Sequence, residues 1–276
     1  MEKKKFYSQT REEFMSTLRD FIAGSGIDPE FAKVVNSYLS ETRFSASMDK
    51  LFNKLHRGEF TPPVGLDNAN GIGFSFRLGY DKDGKLAVKT LPVNKYVRIE
   101  DALPAFMKRA DEQVRERVVD MLEKYGVCGP IKSGFTDKNG VEEIKYLMWD
   151  PELHAVFQAN GDKLEKLCET RKAFGQDLND DQVASLKNNL PFELKPFGFA
   201  MFCPLYNNVM LVENKALIDA MKNCRATKQS FSLSPDGTSV SMEQVAEQKP
   251  QTRSRSRAAV VEPEPEVEVK RSPRKL

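Results

Sequence analysis

Residues that commonly carry out chemistry are scarce in this chain. Its 276 residues include two histidines, His56 and His154, and one tryptophan. Histidine is the usual general base near neutral pH, so there are few candidates for acid–base catalysis. The usual hydrolase, kinase and dinucleotide-binding motifs do not occur either. These absences weigh against the common enzyme classes, and we expect no cofactor.

Cysteine is also sparse. The four cysteines, Cys128, Cys168, Cys203 and Cys224, are isolated, and no Cys-x-x-Cys pair occurs. The spacings typical of zinc sites and thioredoxin-like motifs are therefore absent. Isolated cysteines of an intracellular chain are most often reduced and packed as small apolar groups. We expect no metal site and no catalytic residue among them.

Long apolar stretches are missing as well. A membrane-spanning helix needs roughly 20 apolar residues, and the best run, residues 197–205, has only the length of a strand. The basic N-terminus continues into an amphipathic pattern with Glu12, Glu13 and Asp20, where a secretory signal would require an apolar stretch. We therefore expect an intracellular protein without a membrane partner.

Charge of either sign is balanced over most of the chain. The 42 Lys and Arg residues against 40 Asp and Glu residues give a net charge of +2. This balance weakens the simplest nucleic-acid hypothesis, which requires a strongly basic domain. Residues 226–276 hold nine of the basic and seven of the acidic residues, which leaves 33 of each sign in residues 1–225.

Composition divides the chain into three parts. Residues 226–276 are rich in Ser, Pro, Glu and Arg and have Phe231 as their one aromatic residue, so we predict a disordered mixed-charge tail. A Pro-, Gly- and Asn-rich loop near 59–71 separates a helical segment, 1–60, from an α+β domain, 61–225. The helical segment is either a separate domain or part of one core with residues 61–225.

The N-terminal segment has the pattern of three helices within residues 8–58. Thr10 and Glu13 form a capping-box pattern before the first helix. Asp28 followed by Pro29 is typical of the start of the second helix, and Gly58 ends the third. Each helix carries a single apolar stripe, which predicts packing of the three against each other or against a sheet.

Two hairpins are predicted by strand-like alternation around turn residues. Residues 72–80 alternate between apolar and polar or small side chains, and a turn at 81–84 leads to a second strand. A short strand is expected at 96–99. A second hairpin turns at 137–140, and further strands are predicted at 192–202 and, after a turn at 206–208, at 209–212. Residues 151–159 fit either a helix that starts at Asp150-Pro151 or a strand at 154–159.

Helical periodicity is strongest over residues 101–125, which we predict to be the longest helix, ended by Gly126. Its other face carries charges of mixed sign, typical of a solvated helix face. Further helices are predicted at 162–174, at 180–188 and, after an Asn214 cap, at 215–222. Because hairpins dominate, the fold class is α+β with a largely antiparallel sheet, an N-terminal three-helix segment and a disordered C-terminal tail.

One strand carries a set of aromatic residues. Phe74, Phe76 and Tyr80 share one face of the strand 72–80, and Arg77 lies on the other. Aromatic side chains on a sheet face stack unpaired bases in RNA-binding sheets. Ile72 and Leu78 share that face, however, and large apolar residues on one strand face usually point into the core. The core interpretation is favoured.

The tail has the clearest functional pattern. Two basic clusters are separated by residues 258–269, in which four glutamates alternate with Pro or Val. The clusters predict a bipartite nuclear-import signal, or salt-dependent contact with nucleic-acid phosphates, or only a solubilising tail. Ser272-Pro273 also resembles a site for a proline-directed kinase, and a phosphate there would reduce the positive charge of the last cluster. The candidate nucleic-acid-binding residues are Arg253, Arg255, Arg257, Lys270, Arg271, Arg274 and Lys275.

These features favour a non-enzymatic intracellular binding or assembly protein of the kind found among viral and phage accessory proteins. Its folded part would bind a protein partner or a second copy of the chain, and its tail would contact nucleic acid or carry an address to the nucleus. The alternative is an enzyme of unrecognised family, such as a metal-dependent nuclease or transferase. A deep pocket in which polar side chains converge would distinguish the enzyme.

Overall fold

A computed structural model of the chain describes residues 10, 12–14, 16–17, 20, 53–63, 66, 69–80, 83, 86–227 and 229–236. Most of the predicted three-helix segment and the tail beyond Asp236 lie outside these residues. At the start of the first predicted helix the capping box is present: the Glu13 N–H donates to Thr10 Oγ1, and the Thr10 N–H donates to Glu13 Oε2. Residues 53–56, before Gly58, are helical, as predicted.

The first hairpin is confirmed. Strands β1 (Ile72–Tyr80) and β2 (Leu86–Asn94) pair antiparallel, from Ile72 opposite Asn94 to Tyr80 opposite Leu86. The strand predicted at 96–99 is wrong, because the chain turns at residues 95–96 and Ile99 begins a helix.

The predicted continuous helix over 101–125 is wrong in its first half. A short helix, α1 (Ile99–Ala102), and a 3₁₀ turn at Met107–Arg109 precede the long helix α2 (Glu112–Tyr125). Pro104 accounts for the break, since a residue before proline avoids helical geometry and Leu103 is extended with φ −57° and ψ 137°. At its other end α2 stops as predicted at Gly126, which has φ 77° and donates its N–H to the Leu122 carbonyl.

The second hairpin and the following strand form an antiparallel three-stranded sheet. Its strands are β3 (Val127–Thr136), β4 (Glu142–Asp150) and β5 (Ala155–Asn160), with β4 in the centre. The predicted turn at 137–140 is confirmed, since Asp137 Oδ1 accepts the N–H groups of Asn139 and Val141 at 2.8 and 2.9 Å. These bonds to the charged form lower the pKa of Asp137.

The rest of the chain alternates short helices and hairpins. Its elements are α3 (Gly161–Thr170), β6 (Lys172–Ala173), β7 (Gln176–Asp177), α4 (Asp180–Lys187), β8 (Phe192–Leu194), β9 (Gly198–Cys203), β10 (Asn208–Leu211) and α5 (Lys215–Thr227). The strand predicted over 192–202 is two strands separated by a turn that contains Pro196, a residue with no N–H to donate to a ladder. Asn214 caps α5 as predicted, accepting the Leu217 N–H at 3.0 Å.

Within the described residues the core has four packed clusters, three large ones and a small one around Phe60, Val93 and Leu153. One lies where α3 and α4 cover the strands around Phe192 and Phe202. A second surrounds Met221 on α5. The third holds α2 against β3 and β4 through Val118, Leu122 and Leu147. The fold is therefore α+β with antiparallel sheets, and none of the helices in the described ranges is long and apolar enough to cross a membrane.

The predicted tail begins too early at residue 226. Helix α5 runs to Thr227. Residues 229–236 pack back against the folded part of the chain, the described residues 53–227, which we call the body. Phe231 meets Tyr125 edge-on at 5.7 Å, and Leu233 is buried in the second cluster, where its carbonyl accepts the Gly129 N–H at 2.7 Å. Residues 226–276 contain few apolar residues overall, so their composition does not predict that Phe231 and Leu233 are buried. Residues 237–276 lie outside the described part of the chain.

Candidate functional site

Buried thiols account for three of the four cysteines. Cys128, Cys168 and Cys203 are buried, and Cys224 is half-buried. Burial raises the pKa of Cys128 to about 12 and that of Cys203 to about 12, so both are neutral thiols at pH 7. Cys128 packs 3.6 Å from the Met121 sulfur, and Cys203 packs 3.4 Å from the Met148 sulfur. The expectation of packed apolar cysteines is confirmed for these three.

Both histidines are in contact with aromatic rings. His56 meets Phe14 edge-on at 5.5 Å, and His154 meets Trp149 edge-on at 6.2 Å. Within the described part of the chain, no group of three or more His, Cys, Asp or Glu side chains is arranged to hold a metal ion.

The aromatic strand β1 contributes to the core. Phe76 is 1% exposed and Leu78 is also buried, so Phe76 has no free face on which a base could stack. The core interpretation is therefore confirmed for Phe76 but not for Ile72, which is 52% exposed, or for Phe74, which is half-buried, while the Tyr80 side chain lies outside the described residues. On the other face, the Arg77 guanidinium lies over the rings of Phe60 and Tyr206, at 5.1 and 5.5 Å.

A half-buried polar cluster joins residues 54–60 to two turns of the body. The Phe60 N–H donates to the Tyr206 hydroxyl oxygen at 2.7 Å, and Lys54 Nζ donates to Glu152 Oε2 at 2.6 Å. Asp150 accepts the N–H groups of Glu152 and Leu153, both at 2.9 Å. These residues are far apart in the sequence, so no local pattern predicts their meeting.

Two carboxyl groups of this cluster have raised pKa values. Glu59 is 8% exposed, and its Oε1 lies 3.1 Å from Arg57 Nε without the angle of a hydrogen bond. Burial raises the pKa of Glu59 although Arg57 and Lys54 oppose the shift, and burial also raises the pKa of Asp150. The bonds from Phe60 to Tyr206 and from Lys54 to Glu152 hold these segments together around the two carboxyl groups, so the cluster acts as a structural joint.

A groove runs along α2. It has a volume of about 470 Å³ and lies between α2 and the chain from α1 to Lys108. Five carboxylates and two cations line it, together with the apolar side chains of Leu103 and Val119. Its net charge of three negatives disfavours phosphate groups and favours a cationic ligand. The carboxylates belong to Glu100, Glu112, Glu116, Asp120 and Glu123.

Four of these carboxylates form a row that we call the acidic flank of α2: Glu112, Glu116, Asp120 and Glu123. The first three follow a four-residue spacing, so they lie one above the other on the helix, and all four are exposed. Like charges at this spacing destabilise a helix, and Glu123 also opposes the dipole at the helix C-terminus. In the described ranges, none of the four forms an ion pair.

The prediction of a solvated helix face with charges of mixed sign did not identify the acidic flank. The face is exposed as predicted, and four acids of α2 line the groove together with Arg115, while Arg117 donates to the Pro235 carbonyl outside it. The four-residue spacing of Glu112, Glu116 and Asp120 is visible in the sequence. The contribution of Glu100 from α1 depends on the tertiary fold.

Two exposed aromatic rings form a second surface feature. Phe174, at the turn between β6 and β7, stacks on Phe197 at 5.5 Å, and the rings are 38% and 45% exposed. Phe174 has φ 50°, an uncommon conformation for a bulky residue. Two neighbouring cations pair with acids, Arg171 with Asp180 and Lys172 with Asp177. An exposed apolar pair of rings is suited to a protein contact.

The predicted nucleic-acid-binding residues, Arg253 to Lys275, lie outside the described residues, but the structure fixes the point from which the tail departs. Arg117 Nη1 on α2 donates to the Pro235 carbonyl at 3.2 Å. The Ser234 hydroxyl lies 2.8 Å from the Pro130 carbonyl oxygen and 2.6 Å from Asp236 Oδ1. The tail therefore starts beside α2.

No family model, curated protein or solved structure matches this chain.

Proposed function

We propose that this chain is a non-enzymatic binding protein whose C-terminal tail contacts nucleic-acid phosphates. The observation that carries the proposal is the concentration of seven cations in two short clusters near the C-terminus, at Arg253–Arg257 and Lys270–Lys275, while charge is balanced over residues 1–225. Lys and Arg side chains that neutralise phosphates release condensed counterions, and this gain requires no particular fold.

Features of the body support nucleic-acid binding by the tail. Cys128 and Cys203 are buried as neutral thiols, and the groove along α2 carries negative charge that repels phosphates. The exposed pair of Phe174 and Phe197 offers a contact for a protein partner or a second copy of the chain. Such a two-part arrangement fits an accessory or assembly protein, including those of viruses and phages.

The salt dependence of nucleic-acid binding tests the proposal. On duplex DNA, each cation that neutralises a phosphate adds about 0.9 to the slope of log affinity against log salt. Replacing Arg253, Arg255 and Arg257 with Ala should therefore reduce the slope by about 2.7 between about 0.05 M and about 0.2 M salt. A matched control replaces three exposed cations of the body, Lys138, Lys172 and Lys195, and should leave the slope unchanged.

Two results would contradict the proposal. One is a slope that is the same in the arginine variant and in the unmodified chain. The other is a slope that falls only in the control variant, which would place the phosphate contacts on the body.

The same clusters also support a nuclear address. Their separation by residues 258–269 matches the bipartite import pattern, which is read from an extended chain. A fluorescent fusion of the full chain should enter the nucleus, and the arginine variant should remain in the cytoplasm. Equal nuclear entry of both proteins would remove this role without affecting the binding test.

A further inference from the structure

We infer that the basic segment 249–257 of the tail docks on the acidic flank of α2 in its own chain. The inference adds regulation to the proposed function, because docking would hide cations that nucleic acid would otherwise contact. The docking itself does not depend on nucleic-acid binding.

The basic segment and the groove beside the acidic flank carry opposite charge. The segment contains Lys249, Arg253, Arg255 and Arg257 and has no acidic residue. The groove beside the acidic flank carries five carboxylates against two cations, Lys108 and Arg115. Like charges at four-residue spacing disfavour a helix, so a bound basic segment would relieve repulsion that Arg115 only partly offsets.

The spacing of the charges matches as well. The three arginines occupy every second position, so in an extended chain their side chains lie on one side, about 6.6 Å apart. Glu112, Glu116 and Asp120 occupy every fourth position of a helix, which places them about 6 Å apart along its axis. An extended segment laid along α2 can therefore pair three arginines with three carboxylates in register.

The tail also starts close to this helix. The last described residues are held to the body beside α2, where Arg117 binds the Pro235 carbonyl. Residues 237–248 then connect Asp236 to the basic segment, and they span up to about 40 Å when extended. Helix α2, with 14 residues, is about 21 Å long. The connection is thus long enough to reach every part of the flank, and the tether raises the local concentration of the segment.

Proteolysis of the full chain without nucleic acid tests the docking. Trypsin cleaves after arginine, and the Arg253–Ser254 and Arg255–Ser256 bonds have an identical pair, Arg271–Ser272, in the second cluster. At about twofold for each of three exposed ion pairs, cleavage at the first two bonds should be about eightfold slower than at the third in low salt. At about 0.5 M salt, where the Debye length falls to about 4 Å, the rates should become equal.

Variants of the acidic flank identify the docking site. Glu112→Gln, Glu116→Gln and Asp120→Asn together should abolish the protection. The replaced side chains are exposed and the change removes repulsion, so the body should remain folded, as circular dichroism would verify. The matched control, Asp162→Asn, Glu165→Gln and Glu169→Gln on α3, removes the same charge from exposed positions and should leave the protection intact.

Several outcomes would overturn the inference. Equal cleavage of the three Arg–Ser bonds in low salt would show that the segment is not docked. Protection that survives the α2 substitutions, or that the α3 control removes, would place the segment elsewhere. Slower cleavage at Arg271–Ser272 than at the first two bonds would make the second cluster the occupant. If protection is found but the chain does not bind nucleic acid, the proposed function fails and the docking stands.

If the chain binds nucleic acid and the basic segment docks on α2, the α2 variant should bind nucleic acid more tightly than the unmodified chain, because its tail is no longer occupied. The α3 control changes net charge equally, so it corrects for the general electrostatic effect. Equal affinity of the two variants would contradict the regulatory part of the inference.

Discussion

The side chain of Leu233 lies in a stretch whose composition predicts a disordered tail, yet it is 2% exposed and packs in the cluster around Met221. Replacing Leu233 with Ala leaves the backbone bond from the Gly129 N–H in place, so the variant removes only the buried side chain. A buried Leu→Ala change costs about 2–5 kcal/mol of unfolding free energy, and we expect about 3 kcal/mol here.

For a folded part of this size, about 3 kcal/mol lowers the Tm by about 6–12 °C. The measurement is thermal unfolding followed by circular dichroism, with urea unfolding to give the free energy directly. The matched control is Val260→Ala, which removes apolar atoms from the compositionally biased part of the tail and should not change the Tm. A Leu233→Ala variant as stable as the unmodified chain would refute the packing of residues 229–236 on the body.

Two further predictions concern buried ionisable groups. Burial raises the folded pKa of Glu59 above its usual value, so its contribution to stability is fully present below about pH 4.5 and is lost as the pH rises through the folded pKa. Urea unfolding between pH 4 and pH 8 should therefore show a smaller loss of stability with rising pH for Glu59→Gln, and an unchanged profile would contradict this. The second concerns thiol reactivity: because burial raises the pKa of Cys128 and Cys203 to about 12, a thiol reagent at pH 8 should modify Cys224 first in the native chain. Mass spectrometry that found Cys128 or Cys203 modified first would contradict it.

Local signals predicted both hairpins, the end of α2 at Gly126 and the start of α5 after Asn214, whereas the helix predicted over 162–174 ends at Thr170 and the one predicted over 215–222 continues to Thr227. In the Asp-Lys-Asn-Gly turn at 137–140, Asp137 accepts the N–H groups of Asn139 and Val141. Asn214 caps α5 by accepting the N–H of Leu217, three residues later. Such features depend on neighbouring residues only, so the sequence displays them. The break before α2 was equally local, because Pro104 restricts Leu103, but the apolar periodicity across 101–125 masked it.

Long-range packing limited the remaining predictions. Phe231 and Leu233 are two apolar residues in a polar stretch, and their burial depends on Tyr125 and Gly129, about a hundred positions earlier. The joint at Glu59 likewise needs Asp150 and Tyr206 from distant turns. The acidic flank could be predicted only in part, since its four-residue spacing is visible in the sequence while the groove that it lines depends on the tertiary fold.

The central claim is that the tail, and not the body, contacts nucleic acid. The most direct measurement compares the full chain with a chain that ends at Asp236, so that Phe231 and Leu233 remain in the core. Binding to single- and double-stranded nucleic acid at about 0.05 M and about 0.2 M salt should be salt-sensitive for the full chain and absent for the shorter one. Binding retained by the shorter chain, or absent from both, would contradict the account.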